Sequence, residues 1–483
     1  MTREDVPARD NSTLLIRSRR MVLPDGVREA AALVRDGRIE AVGEYDLRRE
    51  ADRTVDLGDL PLLPGLVDSH VHVNEPGRTE WEGFATATRA ALAGGVTTIC
   101  DMPLNSAPVT TTVEALRAKV AAAAGQCAVD VAFWGGAVPG NLAEIGPLLD
   151  AGVVGFKCFL IDSGIAEFPP LDRDGLRAAM TALAGSGAPV IVHAEDPAQV
   201  TEPAGATYDA FVASRPPVAE RRAIETVISA AAFSGARAHI VHLAAGECAA
   251  LISSAKAAGI PLSAETCPHY LFFAAEEVAP GHTEFKCCPP VRYAVNREAL
   301  WRALGDGAID GVVSDHSPCT PSLKGLSGSG GAGGDFRTAW GGISSLQVGL
   351  SVVWSVARRR GFSLADVARW MAAFPASLAG LPTKGRIAVG CDADFAAFDP
   401  DGSWTVRGAD LLHRHPVTPY DGRTLTGRVS RVWLGGVEVT PSGPPRGRLL
   451  ARGGGPLGGG GGPACLPRSG VAGAARIGRG RVR

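Results

Sequence analysis

Four histidines, one lysine and one aspartate fall at comparable points of short apolar runs, and together they form a donor set suited to divalent metal ions. His70 and His72 close GLVDSHVH (65–72), Lys157 lies in GFKCFL (155–160), His193 in PVIVHAE (189–195), His242 in AHIVHLA (238–244) and Asp315 in GVVSDHS (311–317). On an extended strand an i, i+2 pair points to one side, so His70 and His72 can face one site. Any one of these residues alone reads as a satisfied core or loop histidine, or as a solvated lysine. Six of them at the same end of different strands do not, because buried polar and charged groups must be paired or must ligate a metal.

Lys157 narrows the chemistry. An ammonium is a poor neighbour for a cation, but a neutral amine can add carbon dioxide and become a carbamate, an anion with one oxygen for each of two metal ions. Two ions roughly 3.5–4 Å apart make a two-metal hydrolytic site, in which a shared water loses a proton near neutral pH. Asp315 would then hold one metal and accept the proton of the attacking hydroxide. His239, His282, His413 and His415 fall outside this pattern and read as structural or exposed.

The elements that must position these groups follow from the same runs. With TTICDMP (97–103), VDVAFWG (129–135) and PLSAETCPHY (261–270) there are eight strand-like segments, alternating with Ala-rich helical stretches. That alternation predicts an α/β fold, a (β/α)8 TIM-like barrel over 63–383 whose chemistry lies where strands end and loops begin. No GxGxxG follows the first run, which argues against an open dinucleotide-binding sheet. Residues 11–62 alternate apolar and polar side chains between turn signals, and 384–453 do so again, so both ends are expected to build one small β-sandwich domain.

From Pro444 onward the chain carries eight Arg and no acid, and its Gly-rich stretch 454–483 is expected to be disordered. Subtracting these eight charges from the net −2 leaves −10 for the body. An acidic body and a basic tail without aromatics give no reason to expect nucleic acid. No apolar run is long enough to cross a bilayer, no signal peptide is visible, and the ten cysteines form no CxxC pair. A cytoplasmic protein with reduced thiols and no membrane partner is expected.

Several segments resemble the cyclic amidohydrolases, the group of hydantoinases, dihydroorotases and allantoinases within the amidohydrolase superfamily, and the allantoinases above all. They include PGLVDSHVHVNEPGRTEWEGFATATRAALAGGVTTICDMPLNS, KCFLIDSGIAEFPPL, AETCPHYLFF, KCCPPVR, VVSDHSPCTP, GDFRTAWGGISSLQ and HRHPVTPYDG, and the similarity runs from about residue 13 to about residue 453. The resemblance implies that His70, His72, His193, His242, carbamylated Lys157 and Asp315 ligate a binuclear centre, usually zinc, in a homotetramer. It also implies a substrate. Dihydroorotases usually carry Arg where this chain has Asn74, read MPNT where it has Asn105 in MPLNS, and tend to read DHAPH where it has Ser317 in DHSP. Asn74, Asn105 and Ser317 therefore suit an uncharged ureido ring better than an anionic one.

The activity implied is hydrolytic opening of the hydantoin ring of allantoin to allantoate in purine-derived ureide breakdown, by a metal-bridged hydroxide. A hydantoinase or dihydropyrimidinase is the alternative enzyme, and an inactive homologue acting as an interaction protein the alternative of another class. The chain departs from the family at Ala244-Ala245, where two serines are usual, and in the Gly-rich loop KGLSGSGGAGGDF, a flexible lid or a plain surface insertion.

Overall fold

The computed structural model describes residues 12–326 and 333–457, so the centre of the Gly-rich loop and the tail from 458 lie outside the described residues. The N-terminal region forms β1 (Leu14–Leu23), β2 (Gly26–Arg35), β3 (Arg38–Gly43), β4 (Arg53–Asp56) and β5 (Leu62–Pro64). Asp36 and Gly37 turn β2 into β3 with φ of 51° and 73°, the left-handed pair that a two-residue hairpin loop requires.

Each of the eight apolar runs then contains a strand. They are β6 (Leu66–Val71), β7 (Val96–Asp101), β8 (Asp130–Phe133) with its continuation β9 (Gly135–Gly136), β10 (Phe156–Phe159), β11 (Val190–His193), β12 (Ala238–Ile240), β13 (Leu262–Thr266) and β14 (Gly311–Val312). Continuous apolar runs suit parallel strands covered on both faces, and these strands pair in parallel. The helices between them supply the cover. Helix Arg173–Leu183, for example, is capped by Asp172, whose carboxylate accepts from Gly175 N, and it buries Leu176, Ala179, Met180 and Leu183 along one stripe.

The parallel strands form two sheets, β14-β13-β12-β11-β10-β9 and β18-β8-β7-β6, the latter including β18 (Leu449–Leu450). Between β8 and β9, Trp134 N donates to Asp101 O at 3.0 Å and Gly135 N to Gly155 O at 2.9 Å, so one strand serves both sheets. At the other margin, beyond β14, His72 N donates to His316 O at 2.8 Å, and Val71 and His316 form a parallel bridge. The chain's two ends meet elsewhere. β15 (Phe395–Thr405), β16 (Thr424–Leu434) and β17 (Val437–Val439) join the N-terminal strands in the order β17-β16-β15-β5-β1-β2-β3, with β4 on β1.

The two parts are stitched by a buried ionic cluster. Lys384 Nζ donates to Asp130 Oδ2 and Asp394 Oδ2, both at 2.6 Å, and lies 3.0 Å from Asp392 Oδ2. Arg448 bonds Asp130 at 2.6 Å and Asp392 at 2.9 Å. The basic segment after Pro444 is thus ordered at least to Leu457, whose amide reaches Leu449 O at 2.8 Å, because Arg448 has a buried acid to neutralise. No helix among the described residues is long and apolar enough to cross a membrane.

Burial alone would raise the Asp130 carboxyl, but the Lys384 and Arg448 charges overturn that and hold it at about 2. Lys384→Met should therefore cost about 3–5 kcal/mol, since it strands buried carboxylates. A group whose folded pKa lies below its unfolded value of about 3.9 stabilises above that value and ceases to do so as pH falls toward 2. The Lys384→Met deficit, read as a fall in thermal midpoint, should be full above pH 5 and shrink on acidification toward pH 3.

Candidate metal centre

Five of the six expected donors sit at or just beyond the C-terminal ends of parallel strands, and Lys157 lies within β10. All six are buried. The rings of His70 and His72 are 5.6 Å apart, those of His70 and His242 5.4 Å, and those of His193 and His242 4.6 Å. His70, His242 and Asp315 each present a ligand atom within 4.8 Å of the other two. Asp315 Oδ1 lies 3.2 Å from His70 Nε2 and 3.7 Å from His72 Nε2. The structure brings the six together around one end of a cavity of about 550 Å³.

Each histidine is oriented from behind. His70 Nδ1 is 2.8 Å from Glu265 Oε1, and the other oxygen of Glu265 is 3.0 Å from His239 Nε2. With its Nδ1 proton on Glu265, His70 turns the Nε2 lone pair toward the Asp315 carboxylate, an arrangement of facing acceptors that a cation between them resolves. His193 Nε2 is 2.7 Å from Glu195 Oε2, which also receives Arg215 at 2.6 Å, leaving Nδ1 of His193 for the site. Burial, opposed by the charges of Arg215 and His193 that prevail, leaves Glu195 held down at about 2. The His193 ring stacks on Phe159 at 4.6 Å.

Lys157 is wholly buried, and its Nζ has no hydrogen-bond partner among the described residues. Desolvation lowers its pKa to about 8 against the opposing pull of Asp315 and Glu265, which brings a neutral, carbon dioxide-reactive amine within reach of ordinary pH. Burial likewise pushes Asp315 up and His70, His72 and His242 down, the expected direction for metal donors kept from water without their counter-charge. His242 Nδ1 is also buried without a hydrogen-bond partner among the described residues. A partnerless amine, a partnerless imidazole nitrogen and facing acceptors fit a site for divalent ions.

The backbone is strained at the same place. Among the described residues, positive φ outside glycine occurs at Asp36 and at Asn74, Asn105, His242 and Asp315, the last four with φ of 67°, 66°, 39° and 43°. Such conformations cost of order 1–3 kcal/mol each and concentrate at functional sites. Of the three expected substrate contacts, Asn105 and Ser317 line the cavity, and Asn105 Nδ2 is 3.4 Å from His72 Nδ1. Asn74 does not line it. Its amide donates instead to Pro318 O at 3.2 Å, behind Ser317.

Glu265 and Glu195 were not singled out in the sequence, although both lie in quoted runs. The available signal was a carboxylate inside an otherwise buried strand segment, which must have a partner. His239 is buried against Glu265 and Ser263 rather than facing the cavity, and His282 is exposed beside Glu284. At Ala244-Ala245 both amides donate to Glu220 Oε2, at 2.9 and 3.0 Å, so the backbone is fixed there without serine hydroxyls.

A family model described as the amidohydrolase family matches residues 62–439. The chain belongs to the amidohydrolase family. The chain is 53% identical over 446 residues to an allantoinase of Streptomyces avermitilis, covering 91% of this chain and 98% of that one. It is 46% identical over 387 residues to an allantoinase of Saccharomyces cerevisiae, covering 78% and 82%. The solved structure of an L-hydantoinase (dihydropyrimidinase) from Arthrobacter aurescens superposes with a TM-score of 0.85 at 30% identity, over 91% of this amidohydrolase and 100% of that chain.

Because Glu265 orients His70, Glu265→Gln should weaken metal retention on the order of 10–100-fold while leaving the fold intact. Competition with a chelator measures it, and an unchanged affinity would show that His70 holds its orientation without Glu265.

Proposed function

We propose that this amidohydrolase is an allantoinase, opening the hydantoin ring of allantoin to allantoate in purine-derived ureide breakdown. The observation that carries this reading is 53% identity to an allantoinase across 98% of that relative, in a chain whose six candidate donors converge on one cavity. The likeness to hydantoinase structures at 30% identity supports hydantoin or dihydropyrimidine opening as the second reading. We take the eight parallel strands as a closed TIM-like barrel and the sheet shared by both termini as part of a β-sandwich. Hydrogen bonding between His72 and His316 supports closure. A homotetramer and a cytoplasmic location belong to the same proposal, the latter supported by nine free cysteines among the described residues.

His70, His72, His193, His242, Asp315 and carbamylated Lys157 would hold two divalent ions, read as zinc, which supply Lewis acidity to a ring amide carbonyl and acidify water. The chain does the rest. Its buried strand ends keep Lys157 neutral enough to add carbon dioxide. Asn105 and Ser317, on the cavity wall, offer hydrogen bonds to the ring or its ureido arm. Asp315 takes a proton from the attacking oxygen and passes it to the ring nitrogen as the C–N bond breaks. Asn74 acts from behind, through the carbonyl of Pro318.

If polar wall groups select a neutral ureido ring, kcat/KM for allantoin should exceed that for dihydroorotate by about three orders of magnitude, since a site built for hydrogen bonds penalises a mismatched charge. Comparable rates on the two in a steady-state assay would overturn the assignment.

Lys157→Ala should lose bound metal and nearly all turnover, and added acetate or propionate with excess metal should restore part of both. Lys157→Arg should not respond, because its permanent charge fills the space and repels cations. Metal analysis of each variant separates these outcomes from misfolding, and wild-type metal content in Lys157→Ala would reduce Lys157 to an ordinary buried charge.

A further inference from the structure

Asp315 and Ser317 both line the cavity, and the residue between them turns away from it and is fully buried. His316 is fixed by its backbone and by Nδ1 of its ring. Its N–H donates to Ser314 Oγ at 3.0 Å and its carbonyl accepts from His72 N at 2.8 Å. Its Nδ1 accepts from the amides of Ser345 at 3.2 Å and Leu346 at 3.4 Å. An Nδ1 that accepts two N–H groups carries no proton, so the imidazole proton sits on Nε2, which lies 3.5 Å from Glu82 Oε2.

Glu82 is itself fully buried, just ahead of helix Phe84–Ala93. Both of its carboxylate oxygens lie 3.2 Å from the amide N of Arg414, and its carbonyl accepts from Arg414 Nε. Next door, His415 Nε2 is 2.7 Å from Glu80 O, and the His413 ring is 5.7 Å from that of His316. The segment HRHPVTPYDG, which is absent from the cavity wall, therefore holds Glu80 and Glu82, and the Glu82 carboxylate faces His316.

We propose that Glu82 and His316 are positioning residues for Asp315, held in place by the His413–His415 segment. Asp315 stands at φ 43°, where a side chain with a Cβ is strained, and such a conformation persists only when its surroundings over-determine it. His316 supplies that over-determination: its Nδ1 is held by two amides, its Nε2 faces the Glu82 carboxylate at 3.5 Å, and its carbonyl ties the position to His72. Release of the Glu82 end frees the ring to turn and lets Asp315 relax away from His70 and His72. The catalytic step suffers before substrate binding does, because Asn105 and the rest of the cavity wall are untouched. This inference rests on the role of Asp315 proposed above.

The test compares Glu82→Gln, which keeps the shape and one acceptor, with Glu82→Ala, in the metal-loaded full chain. Expected is a loss in kcat per metal-loaded site of about 10-fold for the glutamine and about 100-fold for the alanine, with KM within about threefold of wild type. Metal content and thermal midpoint are measured on the same samples. The proposal is overturned if Glu82→Gln, the isosteric variant, keeps wild-type kcat, or if KM rises in step with the fall in kcat. It is equally overturned if the lost activity only tracks the unfolded fraction. Should wild type leave allantoin untouched but open another cyclic amide, the substrate assignment fails, and the same comparison is read on that amide.

Discussion

A buried amine with nothing among the described residues to donate to is the constraint around which this molecule is arranged. Lys157 lies within a parallel strand, so its surroundings must be dry, and dryness removes the reason to stay charged. Three histidines forced toward neutrality and an aspartate forced toward protonation share that enclosure. Without counter-ions such a cluster is a defect in a protein interior. On the function proposed above, divalent cations and a carbamate would give every one of these groups a partner.

Holding the donors at the required angles takes a second layer. Glu265 fixes His70, Glu195 fixes His193 with Arg215 behind it, and left-handed backbone at His242 and Asp315 aims side chains where regular strands would not. Parallel strands bring chain ends to one rim, but their regular geometry offers only alternation. The departures from regularity turn a rim of strand ends into a site.

Much of this was legible in the sequence, for reasons that also mark where legibility stops. Short apolar runs ending in His, Lys or Asp exposed the strands and the candidate donors, because a polar residue at the end of a buried strand needs a purpose. Terminal alternation revealed strands from both ends, now found in one sheet. Asn74 illustrates the limit: it continues the i, i+2 series of His70 and His72, yet φ of 67° breaks the extended backbone and swings it off the cavity. Glu265 and Glu195 were visible as letters, but His70 lies on another strand from Glu265 and Arg215 lies 20 positions from Glu195, and one sequence does not report pairings across space. Arg448 was hidden by its neighbours, since a basic, Gly-rich stretch gives no hint that a single arginine answers an aspartate 318 positions away.

That arginine has a bearing on biosynthesis. Asp130 leaves the ribosome early, in a strand that must end in the interior, yet the two cations that neutralise it are Lys384 and Arg448. Until translation has passed both, the nascent strand carries a carboxylate that resists desolvation, and the edge later occupied by Leu449–Leu450 stays open. Stable closure of the N-terminal half is therefore deferred to the last part of synthesis. A chain terminated before residue 448 would present to chaperones and proteases an exposed strand edge whose buried acid lacks one of its two cations, a signature that the finished enzyme conceals.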